Sequence, residues 1–535
     1  MGYGKIRQKR FLLAFCIICL LGPLLAGCIF DETGSLRLTV PAVAAGEIQK
    51  MLGEGFREYE VKPELYFDGH SLAYDSAEDV YYITQNMGDG FFSGVLKSSE
   101  GRLYWQKDRY FTEFADALAK GHLFSLYCID EDTKNWCRYR VVFSGMPIMV
   151  IETQDGGMIR DDTCDGEMRL FDLRFPGREY VSASCQTNIR GGTSRGFAKK
   201  GYKLTLDDKQ SLLGMRRDED WILAALYDDH GLIHNKFSYD VWRDIAGSNL
   251  VKKDGGTTME YVELFCNDTY LGVYGLIERI DAKELSLGET EDILYKCYGR
   301  ELPEESLDWI PVLDKAYEIK YPAEEDLANW QPLQEYLEVF TDKDGIADYE
   351  QAVSLLNMEN AVDHNLFIML SYGCDNNRRK NTFFLAEWGG NANPGYTMIK
   401  IPWDCNATWG KFWRRGEEIN NTIYEPVRIT DPNLWSEDMK ALFLCRPDEI
   451  GELMRRRWSE LRRDILSQER LVAMLDGEFS YLHGSGAYDR NYRLWPNGTA
   501  YWDDRYIYEY VEGRLAYLDD YFETPWLDET PALDY

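Results

Sequence analysis

A glycine- and arginine-rich turn at residues 189–196 (IRGGTSRG) is followed, after a short basic stretch, by a strand in which apolar and polar residues alternate. In the strand, Tyr202, Leu204 and Leu206 share one face, whereas Lys203 lies on the other. A turn whose backbone can approach phosphate, followed by a lysine on a strand, predicts a polyphosphate cradle. Taken alone, the same residues favour a plain basic hairpin.

A helix and a hairpin are predicted next. Apolar residues recur every four positions over 233–245, with Asp228 and Asp229 as possible caps before them and Gly247 after them. Two β-type runs within 261–277 are joined by Asn-Asp-Thr, which is a hairpin signal. The chain therefore mixes strands and helices, and we expect an α+β fold.

Acidic and amide side chains then follow in a regular order. Asp375 and Asn381 lie six residues apart in a loop after a predicted buried helix at 358–372, and Asp404 ends the second of the next two predicted strands. This order suits metal-assisted phosphoryl transfer, in which one carboxylate receives the acceptor proton while an amide and a second carboxylate hold Mg²⁺. Each residue alone is also an ordinary turn former.

Five stretches in this order resemble the CotH family of spore-coat-type proteins, which are atypical, kinase-like proteins. The resembling stretches are 189–206, 221–247, 262–280, 375–385 and 401–410. The resemblance implies a two-lobed atypical protein-kinase-like fold over 146–523. It also implies transfer of the γ-phosphoryl group of ATP to protein Ser or Thr hydroxyls with Mg²⁺ or Mn²⁺.

The resemblance also implies roles for the acidic and amide residues. Asp375 would be the catalytic base, and Asp404 would be the main metal ligand. Asn381 resembles the metal-binding Asn of a kinase catalytic loop, and Asn376 and Asn377 compete for that role.

The nucleotide would be held by a second group of residues. Lys203 is the expected phosphate-contacting lysine, with Lys200 as the second choice, and Arg190 also meets phosphate. Glu278 and Ile280 would lie at the hinge between the lobes, where the nucleotide base pairs with backbone groups.

Three features depart from the family pattern. His234 stands where the family's arginine is expected, so the way in which the helix supports the lysine is uncertain. Asn406 stands where many relatives carry a second acid, which predicts weaker metal binding. The third departure is that no helix glutamate presents itself as the lysine's partner.

The N-terminus has the pattern of an exported lipoprotein. A basic stretch precedes an apolar run at 11–27, which is too short for a typical transmembrane helix and ends in Leu-Ala-Gly before Cys28. This resembles a bacterial lipobox, so we expect a signal peptide at 1–27 and lipidation of Cys28. The alternative is an ordinary cleaved signal with a chance cysteine.

The remaining boundaries follow from composition and pattern. We expect a tether at 28–60, a small β-rich accessory region at 61–145 and an acidic tail at 524–535. The protein would then be extracytoplasmic, bound to the bacterial cell membrane through its lipid alone. The net charge of −32 argues against nucleic acid as a partner.

Two pairs of cysteines could each form a disulfide or remain free thiols. Cys128 and Cys137 could bridge a hairpin after export or remain buried free thiols. If the chain folds as the family resemblance implies, the loops that carry Cys374 and Cys405 converge, and a disulfide could clamp the site. The alternative is that the two cysteines are chance neighbours of the aspartates.

Three functions are compatible with these patterns. The first is a lipid-anchored protein kinase. The second is a non-catalytic scaffold or adhesion lipoprotein on the same fold, which would bind no nucleotide. The third is a kinase whose acceptor is a glycan or a small molecule.

Overall fold

The computed structural model describes residues 40–523, except for 93, 178, 288–290, 300–312, 314, 324–327, 342–344, 374, 377–379, 392–393, 412–434 and 497–502. The predicted signal peptide, Cys28, Cys374, Asn377 and the predicted acidic tail lie outside the described residues. No helix within the described ranges has the length and apolarity needed to cross a membrane.

The first part of the chain is a β-rich unit, as the alternating runs predicted. Its larger sheet contains, in order, Ala42–Val43, Arg102–Gln106, Leu123–Asp130, Asn135–Ser144, Val80–Thr84 and Ala73–Asp75, with Arg57–Glu58 paired to Asn135–Ser144. A smaller sheet orders His70–Ser71, Leu65–Phe67 and Leu96–Ser98. The helices Ala45–Met51 and Phe114–Ala119 and the 3₁₀ turn Arg109–Phe111 lie between these strands in the chain.

Residues 40–60, which the sequence predicted to be tether, are folded in the structure. Ala42–Val43 pairs with Arg102–Gln106 in a parallel ladder, and Arg57–Glu58 pairs with Asn135–Ser144. Val40 and Ile48 are buried. The physical reason is that two short strands gain their hydrogen bonds from distant strands, which no local pattern reveals.

Cys128 and Cys137 are free thiols directly opposite each other. They are partners in the antiparallel register of Leu123–Asp130 and Asn135–Ser144, and both are buried. Cys128 Sγ donates to the Glu100 carbonyl oxygen at 3.0 Å. The structure therefore has the two buried thiols that one interpretation of the sequence predicted.

A closed barrel forms the second part of the chain. Its strands, in order around the barrel, are Ile148–Thr153, Cys164–Phe171, Tyr180–Arg190, Gly201–Ser211, Arg217–Ala224, Thr269–Glu278 and Met259–Cys266. The pairing that closes the barrel, between its first and last strands, is parallel, and the other pairings are antiparallel. The predicted hairpin at 261–277 is confirmed.

The barrel closes around side chains that alternate along its strands. Tyr202, Leu204 and Leu206 are buried on one face of their strand, whereas Lys203 is exposed. Met168, Trp221 and other apolar side chains share this interior. The predicted alternation at 202–206 is therefore confirmed, and it sets which residues can reach a ligand outside the barrel.

The third part combines a second sheet with helices. The sheet is antiparallel, in the order Tyr317–Tyr321, Ile293–Cys297, Thr382–Trp388 and Tyr396–Pro402. The helices are His234–Ala246, Gln331–Phe340, Tyr349–Ser354, Met358–Ser371, Glu437–Cys445, Pro447–Arg462, Gln468–Gly484, Ala487–Leu494 and Arg505–Glu523. The whole is a mixed α+β structure, as predicted, but the sequence did not predict that the strands around the glycine-rich turn close into a barrel.

Local signals set the ends of the helix His234–Ala246. The Asp229 carboxylate accepts the His234 backbone N–H at 2.8 Å, and Gly247 ends the helix. Burial opposes ionisation of Asp229, but the neighbouring His234 and Lys411 lower its pKa to about 2. The predicted cap is confirmed at Asp229.

The helix Ala487–Leu494 is joined to the barrel by a buried ion pair. Arg490 donates Nε to Glu263 Oε1 at 2.9 Å and Nη2 to Glu263 Oε2 at 2.7 Å. The Asn491 side-chain oxygen accepts the Val273 N–H and the Lys199 ammonium. These bonds satisfy charged groups that burial would otherwise penalise, and they tie the helical part to the barrel.

Candidate functional site

A cleft of about 790 Å³ lies where the barrel meets the four-stranded sheet. One side is built from the glycine-rich turn and the barrel strands, including Asn188, Gly192, Ile222 and Ile277. Residues of the sheet and of its loops form another side, and Asn235 and Tyr239 reach the cleft from the helix His234–Ala246. Segments far apart in the chain therefore meet in one cavity.

The cleft is lined by many charged side chains. Basic residues outnumber acidic ones there, whereas acidic residues are in excess over the whole protein. Among the residues that the structure describes, six basic side chains line it, against three acidic ones, although the whole chain carries a net charge of −32. The basic residues are Arg190, Lys203, Arg279, Lys296, Lys320 and Lys380, and the acidic residues are Asp228, Asp375 and Asp404. A local excess of cations in an acidic protein favours an anionic ligand.

Asp375 and Asn381 are in direct contact. The Asn381 side-chain amide donates to Asp375 Oδ2 at 2.8 Å, and Lys380 Nζ donates to both carboxylate oxygens of Asp375 at 3.0 and 2.7 Å. Asn381 has a φ of 56°, which turns the chain sharply before the strand Thr382–Trp388. The structure thus brings together two predicted residues and adds a lysine that the sequence analysis did not assign.

Asn376, a predicted competitor of Asn381, supports the loop from behind. Its side-chain amide donates to the carbonyl oxygens of Asn381 at 3.0 Å and of Trp403 at 2.7 Å, and the residue is fully buried. Asn376 does not line the cleft, whereas Asn381 does. The geometry therefore favours Asn381 as the amide that reaches a ligand.

Asp404 follows the strand Tyr396–Pro402 with a φ of 52°, a conformation that costs energy for a residue other than glycine. Its side chain is exposed to the cleft. Its pKa is raised by loss of hydration and by the negative charges of Asp228 and Asp375, which Arg190 and Lys296 oppose. Asp404 thus lies in the cleft with carboxylates and cations both close enough to influence its ionisation.

Asp228 supplies the additional carboxylate that the sequence lacks at Asn406. The Asn406 side-chain amide donates to Asp228 Oδ2 at 2.6 Å, and Lys411 Nζ donates to the Asp228 carbonyl oxygen at 2.6 Å. In the sequence, Asp228 is recognisable only as a possible helix cap. Because Asp229 takes that role, Asp228 is free to face the cleft.

The glycine-rich turn borders the cleft as predicted. Gly191 has a φ of 120°, and a Cβ at this position would come within 2.1 Å of Ser194 Oγ, so only glycine fits. Arg190 precedes this turn and lines the cleft. Within the described part of the chain, its guanidinium makes no hydrogen bond or ion pair.

The two predicted lysines differ in position. Lys203 lines the cleft, and its Nζ lies 4.0 Å from Asp220 Oδ1 on the neighbouring barrel strand. Lys200 is not among the residues that line the cleft, and its Nζ donates to the Arg195 carbonyl oxygen at 2.6 Å. The carboxylate that pairs with Lys203 thus comes from a barrel strand and not from a helix.

Glu278 lies behind the cleft, whereas Ile280 lines it. The Glu278 backbone N–H donates to the Thr258 carbonyl oxygen, and its own carbonyl oxygen accepts the Thr257 hydroxyl. Its carboxylate accepts the Arg216 N–H at 2.8 Å. The backbone and the carboxylate of Glu278 are thus bonded to neighbouring segments at the edge of the barrel. The structure therefore does not bring Glu278 to the predicted nucleotide site.

His234 is buried and lies outside the cleft lining. Its Nδ1 is 2.7 Å from Asp229 Oδ1. It therefore helps to hold the turn that carries Asp228, one residue before Asp229 in the chain. His234 stands at the position where the family's arginine was expected, and it influences the cleft indirectly, through this turn.

Lys296 is the main cleft residue that sequence reasoning missed. Its ammonium lies 5.1 Å from the Tyr298 ring centre, 5.4 Å from that of Phe383 and 5.3 Å from that of Trp403. The local pattern Leu-Tyr-Lys-Cys-Tyr indicates only a strand. The nearby aromatic residue Tyr298 was the single available signal, because the other two rings come from distant segments.

The donor groups fit a magnesium- or manganese-type ion. In the described ranges, no three His, Cys, Asp or Glu side chains converge closely enough to form a ready-made metal centre. Mg²⁺ does not need one, because it is commonly held by one or two carboxylates, water and substrate phosphates. Asp404, Asp228 and Asn381 offer oxygen donors of this kind, and all three line the same cleft.

The family comparison agrees with the residues that build the cleft. The family model described as CotH kinase protein matches residues 187–518, which include the glycine-rich turn, both carboxylate loops and the barrel strands between them. A comparison with curated proteins finds no match. The chain belongs to the CotH family.

Proposed function

We propose that this protein is a lipid-anchored, extracytoplasmic kinase that transfers the γ-phosphoryl group of ATP to Ser or Thr hydroxyls of a protein. The observation that carries the proposal is the meeting of Asp375, Asn381 and Asp404 in one cleft with an excess of basic side chains. Phosphoryl transfer needs both parts, because the phosphates require cations and the acceptor hydroxyl requires a base.

A two-lobed kinase-like organisation is part of the proposal. Its support is that the cleft lies between the barrel, which carries the glycine-rich turn, and the sheet with its loops, which carries Asp375 and Asp404. ATP in this cleft would contact the phosphate-facing turn on one side and the carboxylate loops on the other. Membership of the CotH family makes this organisation the natural one to test.

Different residues would bind the cation and accept the proton of the acceptor hydroxyl. Asp404, Asn381 and Asp228 would hold the divalent cation, which when bound neutralises phosphate charge. Asp375 would accept the proton of the acceptor hydroxyl as the oxygen attacks the γ-phosphorus, and ADP would leave. Lys380, which pairs with Asp375, keeps that carboxylate oriented and adds positive charge beside the transferred group.

A second candidate function is a binding scaffold on the same fold. The observation in its favour is that Lys380 donates to both oxygens of Asp375, so that the carboxylate is paired with a positive charge. A kinase requires that same carboxylate to take up a proton beside the Lys380 ammonium. A scaffold has no such requirement.

The test uses the purified chain from residue 29 onward with γ-labelled ATP and Mg²⁺ or Mn²⁺. Extracytoplasmic proteins, cell-envelope glycans and small polyols serve as separate acceptors, and mass spectrometry locates the phosphate. We expect label on Ser or Thr of protein, with none when Asp404→Asn replaces the wild type. Label found only on glycans or polyols would contradict the protein-kinase proposal and would indicate a kinase whose acceptor is a glycan or a small molecule.

The matched control is Asp208→Asn, which removes an exposed carboxylate from the strand Gly201–Ser211 outside the cleft. This variant must retain wild-type labelling. Absence of label on every acceptor, together with intact folding, would contradict the kinase proposal and favour the scaffold.

A further inference from the structure

The six cations of the cleft fall into two groups by their partners. Four of them have a carboxylate within 4.0 Å: Lys203 and Arg279 have Asp220, Lys320 has Glu318, and Lys380 has Asp375. Arg190 and Lys296 make neither a hydrogen bond nor an ion pair through their charged groups with any residue in the described ranges. These two charges are available to a ligand without breaking an existing bond.

Arg190 and Lys296 come from opposite sides of the cleft. Arg190 ends the barrel strand Tyr180–Arg190, and Lys296 lies on Ile293–Cys297 of the four-stranded sheet. The Arg190 charge helps to lower the pKa of Lys296, and the Asp404 carboxylate acts on both cations in the opposite direction. Asp404 is not within ion-pair distance of either cation in the described ranges, so the two positive charges are suited to receive an anion.

The surroundings of Lys296 hold its ammonium in place. Three aromatic rings, from Tyr298, Phe383 and Trp403, surround it at 5.1–5.4 Å. Ring faces stabilise a cation without supplying a hydrogen-bond acceptor, so its N–H donors stay free. Burial, with the nearby Arg190 charge, lowers the pKa of Lys296 to about 8, and burial lowers the pKa of Arg190 as well.

Lys203, which the sequence favoured, is a weaker candidate. Its side chain is 47% exposed, and Asp220, which also pairs with Arg279 at 3.2 Å, draws it toward the barrel wall. A phosphate at Lys203 would have to compete with this carboxylate and with solvent. The same cost does not arise at Arg190 and Lys296.

We infer that Arg190 and Lys296 together form the anion subsite of the cleft and hold the phosphates of a nucleoside polyphosphate. The identification of that anion as a nucleotide rests on the proposed function, whereas the anion subsite itself rests on the two unpaired cations. Arg190 provides a planar set of donors, and Lys296 provides a point charge from the opposite side. The phosphate chain would thus bridge the barrel and the sheet.

The experiment measures binding of inorganic tripolyphosphate to the chain from residue 29 onward, by calorimetry in EDTA. Lys296→Met and Arg190→Gln each remove one charge, and we expect at least about a tenfold loss of affinity for each, as for the loss of a charge-assisted bond. Lys209→Met removes an exposed lysine of the strand Gly201–Ser211 outside the cleft; it is the matched control and should stay within about twofold of wild type. Lys203→Met should lose less affinity than Lys296→Met or Arg190→Gln. Lys296→Arg keeps a cation and should retain most of the affinity.

Thermal unfolding without ligand checks that each variant is folded. Loss of affinity in Lys203→Met with retention in Lys296→Met would overturn the assignment, and so would a wild type that binds no tripolyphosphate. Tripolyphosphate binding that follows the expected pattern, without phosphoryl transfer from ATP, would refute the kinase proposal while leaving the anion subsite intact.

Discussion

The Asn381 side-chain amide donates to Asp375 Oδ2 at 2.8 Å, which joins the two ends of one loop. The bond orients the Asp375 carboxylate, and both residues line the cleft. A candidate base and a candidate metal ligand are therefore coupled, so that a change in one should disturb the other.

Substitution Asp375→Asn should abolish most phosphoryl transfer and spare nucleotide binding. The amide cannot accept the acceptor proton, and removal of a positioned base typically costs about 10²–10⁴-fold in rate. Rates come from labelled-ATP assays and affinities from calorimetry. Asp208→Asn is the charge-matched control, and a variant of Asp375 with a near-normal rate would contradict the assignment.

Asn381→Ala should weaken both the rate and the binding of the divalent cation. The substitution removes an oxygen donor and removes the amide bond that orients the Asp375 carboxylate. Titration of the chain with Mn²⁺ in the presence of ATP, followed by electron paramagnetic resonance, measures the second effect. Unchanged Mn²⁺ affinity would assign Asn381 an orienting role only.

Glu478 should make the protein less stable as pH rises. Its carboxylate is one of three around Lys236, with Asp240 and Glu260, and burial followed by these like charges raises its pKa to about 7 despite Lys236. The folded state thus keeps a proton that the unfolded state loses near its ordinary pKa. The stability contributed by that proton is present below about pH 4.5 and is lost as pH rises through 7.

Glu478→Gln should therefore gain stability relative to wild type at pH 8 but not at pH 4.5, by at most about 3 kcal/mol. Urea unfolding at several pH values measures the difference between the two proteins. Glu469→Gln, at an exposed position on the same helix, is the control and should show no such dependence on pH. A pH-independent difference for Glu478→Gln would show that its carboxyl is not perturbed in this way.

Arg490→Met should destabilise the folded protein by roughly 3–5 kcal/mol, because it leaves Glu263 charged and unpaired inside the structure. Adding Glu263→Gln should recover part of that loss. Arg493→Met changes an exposed arginine of the same helix and should have little effect. Equal loss for Arg490→Met and Arg493→Met in urea unfolding would contradict a role for the ion pair.

Cys28→Ser should release the protein from the membrane, if the lipobox resemblance is right. Cells fed an alkyne-bearing fatty acid should label the wild type but not the variant, and fractionation should move the variant out of the membrane pellet. Cys445→Ser, which removes an exposed thiol elsewhere, should keep both the label and the location. Label retained in Cys28→Ser would refute the anchor.

Local patterns were sufficient to predict many elements of the fold. Four-residue periodicity at 233–245 predicts the helix His234–Ala246, and alternation at 202–206 predicts a strand with one buried face. Each pattern records how neighbouring side chains meet the core. Closure of the barrel has no such signature, because its first and last strands, Ile148–Thr153 and Met259–Cys266, pair across a long separation.

The candidate site, like the fold, depends partly on local sequence and partly on long-range packing. The sequence by itself determined which chemistry is available, because the carboxylates of Asp375 and Asp404 and the glycine-rich turn are recognisable in order along the chain. Only the tertiary structure decided which cations remain unpaired for a ligand. The surroundings of Lys296 come from three separate segments, and the partner of Lys203 lies on the next barrel strand, so both depend on long-range packing rather than on local order.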